Sequence, residues 1–254
     1  MTDAVRVHGM QAEVVHDGVC DEVAVEEPLE VRVDGSALAV TMRTPGHDEE
    51  LALGFLYGEA LIDDARPVGL TAELAANAVD VTGPLLGDPG ERNFYTSSSC
   101  GVCGKGAIEQ VAVATPQAVP GPHVRRSLLA DLPSRLRQPG FQRTGGMHAA
   151  GLFDVNGELQ YVREDVGRHN ALDKLVGRAL LDGRLPWHEM LVCVSGRLSF
   201  ELVQKAARAG APILVGVSAP TSLAVSLAAD RGMTLCGFAR GDRINVYTGA
   251  QRVT

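Results

Sequence analysis

The sequence predicts a mixed fold of α/β (α+β) class in two parts: a smaller strand-rich N-terminal domain and a larger C-terminal domain whose mixed sheet is flanked by helices. Three observations predict it. Short strand-like runs flank a turn signal, Asp34-Gly35, in the first third. Three prolines fall within Thr115–Pro122, where neither a helix nor a central strand continues. Beyond that break, short apolar strands alternate with helical stretches, the pattern of βαβ units.

In chain order, strands are expected over Val23–Val33 and Ala37–Met42, followed by a helix. That helix has an acidic start at His47-Asp-Glu-Glu50, which suits a helix N-terminus, and Leu51, Phe55 and Leu56 recur at helical spacing. Short strands follow near Ala78–Val81 and Asn93–Thr96. The domain division is placed at residues 115–123, separating 1–114 from 124–254. The second part then reads as a helix over Leu128–Arg137 and a hairpin, His148–Val155 with Leu159–Arg163, turned at Asn156-Gly157. A helix over His169–Leu181 leads to strand Met190–Val194, helix Ser199–Ala209, strand Ile213–Val217 and helix Thr221–Ala229. Strands Met233–Phe238 and Ile244–Tyr247 complete the order.

Composition bounds the function. Aromatic residues make up only 4% of the chain, so the core must rest on Val, Leu and Ala. A net charge of −8 argues against nucleic acid as the main partner. No apolar run reaches the roughly 20 residues that span a bilayer, and the start Met1-Thr-Asp-Ala-Val-Arg6 lacks the pattern of an export signal. A cytoplasmic protein with no membrane partner is therefore expected. The five cysteines, Cys20, Cys100, Cys103, Cys193 and Cys236, do not read as a disulfide framework. Cys193 and Cys236 fall inside apolar strands, where cysteine packs as a small hydrophobe. Cys20, beside Asp21 and Glu22, receives no role.

Ligands of open α/β sheets collect beyond the carboxyl ends of the strands. In the second part those ends carry Ser195-Gly-Arg197, Ser218-Ala-Pro-Thr-Ser222 and Phe238-Ala239-Arg240-Gly241-Asp242-Arg243. Arginines there suit phosphate, and Asp242 suits the donors of a base or ribose. Any one of these loops is an ordinary cap with solvated charge; three converging on one edge favour an anionic, nucleotide-like ligand. Glu164-Asp-Val-Gly-Arg-His169-Asn-Ala171 is a further charged cluster. There Asp165 and Asn170 are candidate helix caps, and His169 reads first as a structural side chain, as does His148.

Cys100-Gly-Val-Cys103 sits in a small, polar stretch, Ser97–Gly106, expected to be an exposed mobile loop over 97–105. Zinc needs four ligands, and no second pair exists. Thiol–disulfide exchange and sulfur transfer through a persulfide remain open. Both are favoured by a lowered thiol pKa, for which the spacing, Lys105 and a helix expected over Lys105–Ala114 would each work.

The order of elements in the second part matches the cytidine-deaminase fold, whose zinc enzymes use H-x-E and P-C-x-x-C helix starts. His47-Asp-Glu49 and Cys100/Cys103 spell fragments of these, but Ser99 replaces the proline and both lie before the linker. Where that fold would place its ligands stand His169-Asn-Ala171 and Ser195-Gly-Arg197, without the Glu or either cysteine. A deaminase-like domain without the zinc site is expected.

Several motifs together resemble the formate dehydrogenase accessory (FdhD) family. They are Val25-Glu-Glu-Pro-Leu29, Glu50-Leu-Ala-Leu-Gly-Phe-Leu56, Ser99-Cys-Gly-Val-Cys-Gly104, Gly145-Gly-Met-His-Ala-Ala150, Glu164–Ala171, Val194-Ser-Gly-Arg197 and Gly237-Phe-Ala-Arg-Gly-Asp-Arg243. The resemblance implies a sulfurtransferase, or sulfur carrier, that accepts sulfur from a cysteine desulfurase on Cys100 or Cys103, with Cys100 preferred. It implies delivery to the molybdenum cofactor, Mo-bis(molybdopterin guanine dinucleotide), before that cofactor enters formate dehydrogenase. It further implies a homodimer and a cofactor site at Phe238, Ala239, Arg240, Gly241, Asp242 and Arg243, with Ser195, Arg197 and His169 near it and GDP as an analogue. The competing expectations are a cofactor chaperone without sulfur transfer and a dithiol redox protein.

Overall fold

The computed structural model describes residues 6–8, 10–16, 19–70, 77–87, 94–95 and 115–254. Cys100, Cys103, the 97–105 stretch and the helix expected over 105–114 lie outside the described residues.

β1 (Arg6–His8), β2 (Gln11–His16) and β3 (Val19–Ala24) form a small antiparallel sheet. β4 (Glu27–Val33) and β5 (Ser36–Arg43) pair antiparallel through Asp34-Gly35. Both turn residues have positive φ, 47° and 78°, the I′ geometry that matches strand twist. The sequence expects one strand over Val23–Val33; the chain instead breaks at Val25-Glu26, and its two pieces join different sheets. Helix α1 (Asp48–Gly58), β6 (Val68–Leu70), β7 (Ala78–Val81) and β8 (Phe94–Tyr95) complete this half. The five-stranded sheet has the order β6-β7-β4-β5-β8, with β8 parallel to β5.

After residues 115–123 come α2 (Arg126–Arg135), α3 (Pro139–Thr144), β9 (His148–Phe153), β10 (Leu159–Asp165) and α4 (Arg168–Leu181). β11 (Leu191–Val194), α5 (Phe200–Arg208), β12 (Ile213–Gly216), α6 (Ser222–Asp230), β13 (Thr234–Arg240) and β14 (Arg243–Thr248) follow, closed by a short 3-10 turn at Ala250–Arg252. The six-stranded sheet runs β10-β9-β11-β12-β13-β14. Its centre is parallel, β11 to β12 to β13, and antiparallel pairs stand at both sides.

Strand alternation divides the apolar side chains between two layers. Val192, Val194, Leu214 and Leu235 face α4, α5 and α6, whereas Leu191, Cys193, Ile213, Val215 and Cys236 face α2. Both cysteines are fully covered, and burial pushes the Cys236 thiol up to about 12 and the Cys193 thiol higher still. Neither is a usable thiolate.

The first core layer does not stop at residues 115–123. It joins Leu29 and Val31 of β4 and Leu51, Leu53 and Leu56 of α1 to Leu172, Leu175 and Val176 of α4. Helix α1 is therefore apolar nearly all round, because one side packs on its own sheet and the other on α4. The α1–α4 crossing is made by glycine. A Cβ on Gly54 would stand 1.8 Å from the Asp173 carbonyl oxygen, and one on Gly177 would stand 1.8 Å from that of Glu50.

Candidate functional site at the strand ends

Pairing register gathers one set of loops at one edge of the six-stranded sheet. β9 begins at His148 opposite Asp165, the last residue of β10, and Ala150 of β9 pairs with Val194, the last of β11. The loops after β11, β12 and β13 leave from the same edge because these strands are parallel. The edge thus brings together His148, Arg168 and His169, Ser195–Ser199, Ser218–Ser222 and the β13–β14 hairpin.

Ser195 is held by the backbone: the Ala149 N–H donates to its Oγ at 2.9 Å, and its own N–H donates to the Ala149 carbonyl. His148 Nδ1 stands 3.5 Å from the same hydroxyl. The Gly196 segment of this loop lies beside His148 and Arg168, an added Cβ standing at ordinary contact distance, 3.5 Å from His148 Nδ1 and 3.6 Å from Arg168 Cδ. Arg168 Nε is buried without a partner. Leaving a buried cationic donor so is costly.

The hairpin is shaped for exposure. Gly237 permits the Ser218–Pro220 loop to lie against it, because a Cβ would stand 2.9 Å from the Ser218 carbonyl oxygen and 3.1 Å from Pro220 and Tyr247. The next residue, Phe238, has φ 53° and is 47% exposed, an uncommon conformation for a bulky residue. Arg240 and Arg243 pair across a turn of Gly241 and Asp242, where Gly241 has φ 63°. Arg197, Arg240, Asp242 and Arg243 are exposed, and none has an ion-pair partner among the described residues.

Behind this edge lies a buried polar layer. Lys174 Nζ reaches Asp165 at 2.6 Å with both side chains fully covered. Asp165 also accepts from the N–H groups of Thr44 (3.1 Å) and Gly167 (2.8 Å) and from Asn170 Nδ2 (3.1 Å). Asn170 Nδ2 donates to the Met42 carbonyl at 2.8 Å, and Lys174 to that of Thr44 at 2.8 Å. Asp165 and Asn170 therefore do not cap α4, whose first position follows Gly167 without a side-chain cap. They tie the α4 start to the end of β5. A second buried pair joins α5 to α4, Lys205 with Asp173 (2.6 and 2.8 Å). Glu50, at the start of α1, is bound across to β10 instead. Burial opposes its ionisation, but hydrogen bonds from Arg163 (2.5 and 2.7 Å) and His47 outweigh burial and hold it at about 2.

His169 is nearly buried; its Nε2 lies 3.0 Å from Ser199 Oγ and 3.2 Å from Glu201 Oε2. Burial, then the nearby Arg168, Lys205 and His148, push its pKa down to about 3. Burial and Arg168 lower His148 as well. Because the folded pKa of His169 lies below the unfolded value of about 6.5, the unfolded chain binds more protons, and stability is lost as pH falls from 6.5 toward 3. Between pH 7 and pH 5 the wild type should lose about 2 kcal/mol more than His169→Gln, read from urea midpoints. Equal losses would mean that His169 is not held neutral.

Among the described residues, no group of three His, Cys, Asp or Glu is placed to hold a metal ion, and no helix is long and apolar enough to cross a membrane. The distribution of charge along the sequence marks the second half of the chain. Residues 1–114 carry 20 acidic and 6 basic side chains, whereas 124–254 carry 11 and 17, so the half bearing the strand-end loops is the cationic one.

The fold defines a mixed α/β frame, one edge of whose six-stranded sheet carries exposed arginines and the buried Arg168 Nε. The chain belongs to the FdhD/NarQ family, whose model matches residues 24–254. It is 52% identical over 251 residues to the sulfur carrier protein FdhD of Streptomyces coelicolor, covering 92% of this chain and 89% of that one. It is 45% identical over 251 residues to the sulfur carrier protein FdhD of Sulfurisphaera tokodaii, covering 96% and 94%. Its structure is similar to the crystal structure of a protein described as a formate dehydrogenase accessory protein from Desulfotalea psychrophila, with TM-score 0.74, 27% identity and full coverage of both chains.

Proposed function

We propose that this protein carries sulfur as a persulfide on the Cys100/Cys103 pair and delivers it to a guanine-nucleotide-bearing molybdenum cofactor bound at the strand-end edge. The observation that carries the reading is a cationic edge, with Arg168 Nε unpartnered and Arg197, Arg240 and Arg243 free of carboxylates among the described residues, on a chain of net charge −8. A diphosphate meets such arginines with charge-assisted hydrogen bonds. Asp242 is an acceptor suited to a base or ribose.

The direction of β8 leads the chain toward the strand-end edge. β8 runs parallel to β5, with Phe94 beside Ala39 and Tyr95 beside Val40. It therefore heads toward the β5 end that is bonded to Asp165 and Asn170, next to His169. Cys100 follows Tyr95 by five residues, a span of at most about 18 Å.

Loading is a thiol exchange. A thiolate of the pair attacks the outer sulfur of a donor persulfide, the donor's S–S bond breaks, and the donor cysteine leaves as thiolate, with no net oxidation. Release uses the second cysteine. Its thiolate attacks the inner sulfur, the outer one departs as sulfide, and a Cys100–Cys103 disulfide remains. The pair thus supplies two electrons and is afterwards reset by a reductant. The donor in this reading is a cysteine desulfurase, the protein served is formate dehydrogenase, the compartment is the cytoplasm, and the assembly is a homodimer.

Two substitutions test the site and the chemistry separately. Arg240→Ala with Arg243→Ala should weaken GDP binding at least tenfold, measured calorimetrically at fixed salt. Unchanged affinity removes the hairpin from the site. Cys100→Ala should retain GDP binding but abolish maturation of formate dehydrogenase in cells. A chaperone without sulfur transfer would keep both.

A further inference from the structure

We propose that Glu201 and Ser199 lock His169 in the Nε2–H tautomer, so that its bare Nδ1 is the neutral acceptor for a donor hydrogen of the bound guanine nucleotide. The assignment rests on the nucleotide reading above and names a positioning pair within that site.

His169 is the second residue of α4, and its side chain is 12% exposed. Its Nε2 faces α5, with Ser199 Oγ at 3.0 Å and Glu201 Oε2 at 3.2 Å. Glu201 lies one helical turn before the cation Lys205, on the same helix, and as a carboxylate it only accepts. The hydrogen therefore sits on Nε2. A neutral imidazole has one N–H, so Nδ1 is left as a lone pair. Burial beside Arg168 and Lys205 keeps the ring neutral, which makes the Glu201 contact a hydrogen bond rather than an ion pair. Nδ1 has no hydrogen-bond partner among the described residues.

The chemistry of the edge explains why such an acceptor is needed. Arg168, Arg197, Arg240 and Arg243 are donors only, and they suit phosphate oxygens. The N–H groups of guanine and the hydroxyls of ribose need acceptors. A second carboxylate beside the phosphates would repel them, whereas a neutral imidazole accepts without adding charge. Glu201 is then a positioning residue acting through His169: its charge lies on the α5 side of the ring, and it sets which nitrogen is bare.

The test compares GDP binding by the full chain with that of His169→Asn and His169→Gln. The asparagine side chain places its carbonyl oxygen where Nδ1 stands; glutamine reaches to the Nε2 position. His169→Asn should bind GDP within about threefold of the wild type, and His169→Gln about tenfold more weakly, the loss of one hydrogen bond. Nitrogen-15 spectra of the wild-type imidazole should show a protonated Nε2 and an unprotonated Nδ1 whose signal moves when GDP is added. The reverse order of the variants, equal losses in both, or an Nδ1–H tautomer would overturn the assignment while leaving the nucleotide reading standing. Failure of the wild type to bind GDP at all would overturn both.

Discussion

Replacing Gly54 or Gly177 by alanine is expected to lower the Tm by about 10 °C or more and to leave little soluble protein. Each added methyl would meet a backbone carbonyl oxygen of the other helix at 1.8 Å, so no side-chain adjustment relieves the clash. The helices would have to separate, and Leu51, Leu53 and Leu56 on one and Leu172, Leu175 and Val176 on the other would lose contact with a shared core. Because α4 begins with Arg168 and His169, any fraction that folds should bind GDP poorly. Gly87→Ala is the control: nothing lies within 4 Å of its added methyl, and its effect should stay within about 0.5 kcal/mol. If the α1–α4 variants melt within a degree or two of the wild type, the crossing is looser than the structure shows.

Lys174→Met should cost about 3–5 kcal/mol, since it leaves the covered Asp165 carboxylate without its countercharge and the Thr44 carbonyl without a donor. Three N–H donors remain on Asp165, which keeps the loss toward the lower end. Adding Asp165→Asn removes the stranded charge and should recover part of the loss, giving a coupling energy of about 1–3 kcal/mol in a double-mutant cycle. The damage should concentrate at the join between β5 and α4. GDP affinity should therefore fall more steeply than in a variant of equal stability made elsewhere in the core. A strictly additive cycle would mean that the two side chains do not act as a pair.

Much of the six-stranded sheet was legible because its signals are local. Asn156-Gly157 turns the β9–β10 hairpin, with Gly157 at φ 79°, and the apolar runs of β11, β12 and β13 are too short to be anything but buried strands. The strand-end loops followed from topology alone, and the structure does bring Ser195, Arg197, His169 and the Phe238–Arg243 hairpin to one edge. What stayed hidden rests on partners far away in sequence. Glu50 reads as a first-turn acid of α1, yet its geometry is set by Arg163, and Asp165 reads as a cap until Thr44 and Lys174 are placed beside it. Gly54 and Gly177 look like ordinary helix weakeners until the two helices cross. The β1–β3 sheet was missed because its three short strands carry little alternation, with Val15 and Val19 both exposed.

The proposed carriage of sulfur on Cys100 and Cys103 is open to direct measurement. Incubating the protein with a cysteine desulfurase and cysteine, then weighing the peptide that spans residues 97–105, tests it most directly. The expected result is added sulfur mass that a reductant removes and that disappears when both cysteines are replaced by alanine. Labelling that persists in the double variant, or that never appears on this peptide in the wild type, would contradict it.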